Sequence, residues 1–87
     1  MKFVDVAVSR EGRFSIGVEK ETGKFYLSIP VSNSLVDYEE YYEITREMFE
    51  RCQKDMKEAL FFADECREGK KDSLLIQKPG KDRGAPV

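Results

Sequence analysis

The sequence contains no histidine and no tryptophan, and only two cysteines and three prolines in 87 residues. Without imidazole there is no Ser-His or Cys-His pair for nucleophilic catalysis, and no ordinary His-containing metal site. Carboxylates, lysines and tyrosines remain, so acid–base chemistry is made less accessible without being forbidden. Long apolar runs are also missing. A membrane span needs roughly 20 consecutive apolar residues, whereas the longest uninterrupted stretches here are Ala59–Ala63 and Val6–Val8. Nor does charge of one sign dominate: a formal net charge of −2 supplies no global field to draw the chain to nucleic acid or acidic membranes. The opening Met1-Lys2-Phe3-Val4-Asp5 meets charge at once, unlike the apolar stretch of a secretory signal. These features predict a cytoplasmic chain in its mature form.

The two cysteines fit that compartment. Cys52 and Cys66 lie on one predicted helix, about 21 Å apart along its axis at ~1.5 Å per residue. A disulfide requires Cα atoms within about 7 Å, so the pair cannot bridge while the helix stands. Both are expected to serve as small core residues, not as nucleophiles or ligands. No cofactor or metal is expected.

What is present is a clear division into strands followed by helix. Val4, Val6 and Val8 alternate with Asp5 and Ala7, and Phe14, Ile16 and Val18 with Ser15 and Gly17. Phe25, Leu27, Ile29 and Val31 alternate with Tyr26, Ser28 and Pro30. Period two puts one apolar face on a sheet. The joints Ser9–Gly12 and Lys20–Gly23 each end in a glycine suited to the left-handed conformation of a short antiparallel hairpin. Pro30 cannot donate to a ladder, which predicts an edge or bulge near the end of the third strand. After a turn at Ser32-Asn33-Ser34, a fourth extended piece runs from about Tyr38 to Ile44.

From Thr45 to Gly69 the period changes to that of a single amphipathic helix. Thr45 is a suitable N-cap, Glu47 complements the helix dipole, and Gly69 supplies the stop. Phe49, Cys52, Met56, Ala59, Ala63 and Cys66 form the core stripe, whose burial contributes on the order of 10 kcal/mol before entropy. Then come the short apolar run Leu74-Leu75-Ile76, read as a closing strand or hook, and a stretch rich in Gly, Pro and charge, expected to be mobile. The fold class is therefore α+β: an antiparallel four-stranded meander packed on one long C-terminal amphipathic helix, then a short strand or hook and a loose tail. Residues 1–78 form the domain and 79–87 the tail.

Three places are candidates for function. Phe61 falls on the polar face of the helix, among Glu50, Lys54, Lys57, Glu58 and Glu65. Either Leu74-Leu75-Ile76 folds over it, or another protein or a second copy of the chain covers it. The segment Asp37–Glu43 holds four carboxylates and three tyrosines. On a strand, Tyr38, Glu40, Tyr42 and Ile44 point one way, and Glu39, Tyr41 and Glu43 the other. It is either a solvated edge strand whose charges oppose aggregation or a surface for a basic protein, with tyrosines supplying contact area. A carboxylate hydrolase using Glu39 and Glu43 is a weaker alternative. Finally, the tail carries Lys70, Lys71, Lys78, Lys81 and Arg83 against Asp72 and Asp82. It reads as solvated, or as a weak clamp for nucleic acid or an acidic patch.

The runs Asp37–Ile44, Phe62–Arg67 and Leu74–Gly84 resemble a pattern in small uncharacterised bacterial proteins. Some of these are similar to immunity proteins that neutralise contact-dependent or other polymorphic toxins. The opening Met1-Lys2-Phe3-Val4, with its hairpin and later helix, also resembles HicB-type antitoxins. The chain departs from them by lacking a Pro-Gly-Cys segment before the helix and by its longer strand-to-helix spacing. Both likenesses imply a small non-enzymatic neutraliser. The expected partner surface is Tyr38, Glu39, Glu40, Tyr41, Glu43 and Phe61, toward a basic toxin or other protein, with a structural homodimer as the alternative.

Overall fold

The computed structural model describes residues 1–87. The alternating segments form β1 (Phe3–Ser9), β2 (Phe14–Glu19), β3 (Phe25–Ser32) and β4 (Asp37–Ile44). They pair antiparallel in the order β1-β2-β3-β4. Parity places Ile16, Leu27, Ile29, Val31, Tyr42 and Ile44 on the face that packs against the helices, where they are buried. A bulge between Asp5 and Ala7 shifts the β1 register by one residue, so Ala7 pairs with Ile16 on the core side and Val8 turns to the other face.

Gly23 closes the second hairpin with φ of +75°, as its position predicts. The first hairpin differs. Its left-handed residue is Arg13, with φ of 55°, and Gly12 is needed for a different reason. A Cβ on Gly12 would lie 2.6 Å from the Phe14 ring and 2.8 Å from Leu60. The strained turn is held from outside: the Arg67 guanidinium donates to the carbonyls of Gly12 and Arg13, and also to Asp64 at 2.8 Å.

The single helix expected over Thr45–Gly69 is broken. Thr45 caps α1 (Arg46–Lys54) by accepting from the Met48 amide at 3.1 Å, but Asp55 is extended, with φ −151° and ψ 105°. A 3-10 turn over Met56–Ala59 restarts the helix, which continues as α2 (Leu60–Arg67). The cause is Asp55 itself. Its carboxylate accepts from the Lys57 amide at 3.1 Å, and a short acidic side chain that can cap a new helix competes with continuation of the old one. The core stripe survives the break, with Phe49, Cys52, Ala59, Ala63 and Cys66 all buried. Gly69, with φ of +78°, ends α2; amides of Gly69 and Lys70 return to the carbonyls of Cys66 and Glu65 in the pattern of a Schellman cap. No helix is long and apolar enough to cross a membrane.

The expected loose tail is also corrected. After a 3-10 turn at Asp72–Leu74, Leu75 bridges Tyr42 and the Ile76 amide bonds the Tyr41 carbonyl at 2.9 Å, on the outer edge of β4. The chain then crosses the tip of the β3–β4 hairpin, where the Asn33 side chain donates to the Asp82 carbonyl at 3.0 Å. It ends as β5 (Ala85–Pro86), paired with Val31 and Ser32 on the other side of β3. The sheet therefore has five strands, not four. Pro30 sits in the interval between the last β2 pair, Ser15–Ser28, and β5. Its carbonyl accepts from Val87 at 3.2 Å. In a strand a residue's N and C=O point the same way, so its missing donor faces the stretch that β2 does not reach, in keeping with the predicted edge.

Arg83 fixes this return. Its guanidinium donates to both oxygens of Glu40, Nε to Oε2 at 2.7 Å and Nη2 to Oε1 at 3.0 Å. It also donates to both oxygens of Asp72, at 2.8 and 3.0 Å. Glu40 is only 6% exposed and also accepts from the Tyr42 hydroxyl at 2.9 Å. The Arg83 bonds hold the Asp72 carboxyl below the usual range.

Candidate functional site: the open face of the sheet

All helical turns pack on one face of the sheet. The other face carries Phe3 and Asp5 from β1, Ser15, Gly17 and Glu19 from β2, Tyr26 and Ser28 from β3, and Glu39, Tyr41 and Glu43 from β4. The aromatic rings shield it. Phe3 and Tyr41 stack with centroids 3.7 Å apart and planes within 11°, and both stand edge-on to Tyr26. Tyr26 is fully buried without any covering element. Opposite it lies Gly17; a Cβ there would approach the Val4 carbonyl to 2.1 Å and the Tyr26 hydroxyl to 2.5 Å. The glycine lets the ring lie across β2, so that its hydroxyl donates to Asp5 Oδ1 at 2.5 Å. Burial first, and then this bond, pushes the Tyr26 phenol well above its ordinary range.

Carboxylates ring the stack. Glu39 is exposed, yet partial desolvation raises its carboxyl, opposed by the nearby Ser28 hydroxyl and reinforced by Asp5. Ser28 is 1% exposed and its hydroxyl makes no hydrogen bond of ordinary geometry. Desolvation raises the Tyr41 phenol, and the charges of Glu39 and Asp5 add to the effect. Glu43 lies 3.8 Å from Lys24. Glu19 does a different job at the end of β2. It accepts from the Thr22 hydroxyl at 2.6 Å and from the amides of Lys2, Glu21 and Thr22 at 2.8–3.0 Å. Those bonds, the Thr22 hydroxyl foremost, hold its carboxyl down at about 2.

The six residues predicted as a partner surface fall in three places. Glu39, Tyr41 and Glu43 share the open face. Tyr38 and Glu40 point to the helix side, where the Tyr38 hydroxyl accepts from the Gly84 amide at 2.7 Å and Glu40 holds Arg83. Phe61 stands apart on α2, 75% exposed. Leu74 and Leu75 pack against the core, so the reading in which that segment covers Phe61 is corrected: the chain leaves the ring bare. Phe3, Asp5, Tyr26 and Ser28 were not singled out in the sequence. Their strand parity, shared with Glu39 and Tyr41 across known hairpins, was the available signal.

The cysteines are free and buried; burial pushes the Cys66 thiol up to about 12. No group of three or more His, Cys, Asp or Glu side chains gathers to hold a metal ion. A cleft of about 340 Å³ beside β4 is lined by Glu39, Glu40 and the loop carrying Lys78 and Lys81. The two carboxylates point to opposite faces of the strand. No protein-family model, curated protein or solved structure matches the chain.

Proposed function

We propose that this chain is a non-enzymatic protein-binding module that meets a basic partner through the open sheet face, in the manner of a toxin-neutralising immunity protein. The observation that carries this reading is the uncovered stack of Phe3 and Tyr41, ringed by the exposed carboxylates Asp5, Glu39 and Glu43. Rigid aromatic area surrounded by charge of one sign suits recognition of Lys- and Arg-rich surfaces, with the carboxylates steering and the rings supplying contact. Glu39 and Glu43 are four residues apart on one strand, about 13 Å between Cα atoms. Two acids flanking a single scissile bond have carboxyls within about 9.5 Å, which weighs against the hydrolase alternative. Glu40 and Tyr38 support the surface from behind.

The test is Glu39→Lys with Glu43→Lys, both exposed, in pull-downs against the products of adjoining reading frames. The expected result is capture of a basic protein by the parent chain and its loss in the variant, with an unchanged melting temperature. Undiminished capture would refute the proposal. A second reading, a homodimer across α2, draws on the exposure of Phe61; light scattering of the parent and of Phe61→Asp separates it from the first.

A further inference from the structure

We infer that the outer edge of β1 is a docking site for an extended segment of another protein, added to the sheet as a neighbouring strand. This goes beyond the open-face reading and does not depend on Glu39 or Glu43. The chain closes its other edges itself: Leu75 and Ile76 lie along β4 at Tyr41–Tyr42, and β5 fills the spare edge of β3. Nothing lies along β1. The Lys20 amide bonds the Lys2 carbonyl, and the register then leaves the N–H and C=O groups of Phe3, Asp5 and Val8 facing outward. Between residues 3 and 9 there is no lysine and no proline, two of the usual guards of an exposed edge, and the guards present are the bulge at Val6 and the single charge of Asp5. Val4, Val6 and Val8 are instead 36%, 49% and 60% exposed. Beyond Val8 the edge opens onto a groove of about 460 Å³ lined by Val8, Gly12, Met56 and Leu60, able to take an apolar side chain of the incoming segment.

Charge selects the occupant. Along this edge run Lys2, Asp5 and Arg10, all exposed, in the order positive, negative, positive. A second copy pairing antiparallel about a two-fold axis at Asp5 would set the two Asp5 carboxylates directly opposite each other. An axis one residue further on, at Val6, would instead oppose the two bulges and bring Lys2 toward Arg10 of its mate. Like charges directly across a ladder are destabilising, so this edge is built against itself. It suits a foreign strand with an acid at each end and a base between them, opposite Asp5. Asp5 keeps one oxygen free for that base, since Tyr26 occupies only Oδ1.

The experiment uses the full chain, isotopically labelled for NMR. The probes are the synthetic peptide Glu-Val-Thr-Val-Lys-Val-Thr-Glu, its charge-reversed counterpart Lys-Val-Thr-Val-Glu-Val-Thr-Lys, and a backbone N-methylated form of the first. The expected result is a shift and exchange protection of the Phe3, Asp5 and Val8 amides with the first peptide. The reversed peptide should bind about tenfold more weakly, since it turns three favourable cross-strand pairs into unfavourable ones. The N-methylated form should not bind, and Asp5→Asn, which keeps an acceptor for Tyr26, should narrow the preference. Glu39→Lys with Glu43→Lys should leave peptide binding unchanged, so failure of the open-face reading would not be mistaken for failure here. The inference is overturned if β1 amides do not respond at about 1 mM peptide, if both charge patterns bind equally, or if the protein alone dimerises and Val6→Lys splits the dimer.

Discussion

Replacing Arg83 by alanine removes the cation that keeps Glu40 paired inside the fold. Glu40 is 6% exposed and receives two bonds from Arg83 and one from Tyr42. Truncating one partner of a buried ion pair costs about 3–5 kcal/mol because the remaining charge is left uncompensated. The Arg83 side chain is itself 32% exposed, so water can reach part of the vacated volume. We therefore expect a loss of about 2–3 kcal/mol, at and just below the lower limit of that range. For a domain of this size the loss corresponds to a fall in Tm of about 10–20 °C. Urea titration at neutral pH gives the free energy directly, with the midpoint falling while the slope stays near the parent value. Hydrogen exchange at Val87, whose amide bonds Pro30, should accelerate in the same variant. A double variant, Glu40→Gln with Arg83→Met, removes the buried charge as well as its partner and should recover most of the loss. A change below about 0.5 kcal/mol for Arg83→Ala would refute the reasoning, since surface substitutions fall in that range. Equal destabilisation in the single and double variants would show that packing of the arginine, not its charge, holds the tail.

Three further outcomes follow from the geometry. Glu19 is held at about 2 when folded, below its ordinary value near 4.5, so its stabilisation is complete above the ordinary value and is lost as pH falls through about 2. The urea-midpoint gap between parent and Glu19→Gln should therefore close as pH is lowered across that window; a constant gap would contradict it. Gly17→Ala should cost about 2–3 kcal/mol by overpacking against Tyr26 and the Val4 carbonyl, read by thermal melting; an unchanged Tm would show that the ring can move aside. Cys52 and Cys66, both buried, should react with a thiol reagent at about pH 8 only as fast as the protein opens, and rapid labelling of the native state would contradict their burial.

The strands were legible because each shows alternation over several residues and ends at a turn. Strand parity alone also separates Glu39, Tyr41 and Glu43 from Tyr38, Glu40 and Tyr42. The interruption at Asp55 was not legible. Cys52, Met56, Ala59, Ala63 and Cys66 keep helical spacing across it, and no glycine or proline marks the site. What decides the break is a local contest between capping the Lys57 amide and continuing the helix, which periodicity cannot register. The role of Arg83 was hidden for another reason. Its surroundings are glycine, proline and charge, the composition of a solvated tail, and its partner lies 43 residues earlier. The one clue was Glu40: a carboxylate on the core side of a strand, between Tyr38 and Tyr42, demands a cation from somewhere. The open-face cluster needed the β1–β2 and β2–β3 registers together, because Phe3 and Tyr41 meet only across two intervening strands.

The proline in the third strand carries a consequence for colloidal behaviour. Should the short C-terminal ribbon peel away, the bared backbone of β3 would otherwise be a template for fibrillar growth by neighbouring molecules. Pro30 lies in that window with no amide hydrogen to offer, so a stray chain finds its hydrogen-bond register interrupted. The same residue that leaves room for the ribbon thus keeps its departure from seeding aggregates.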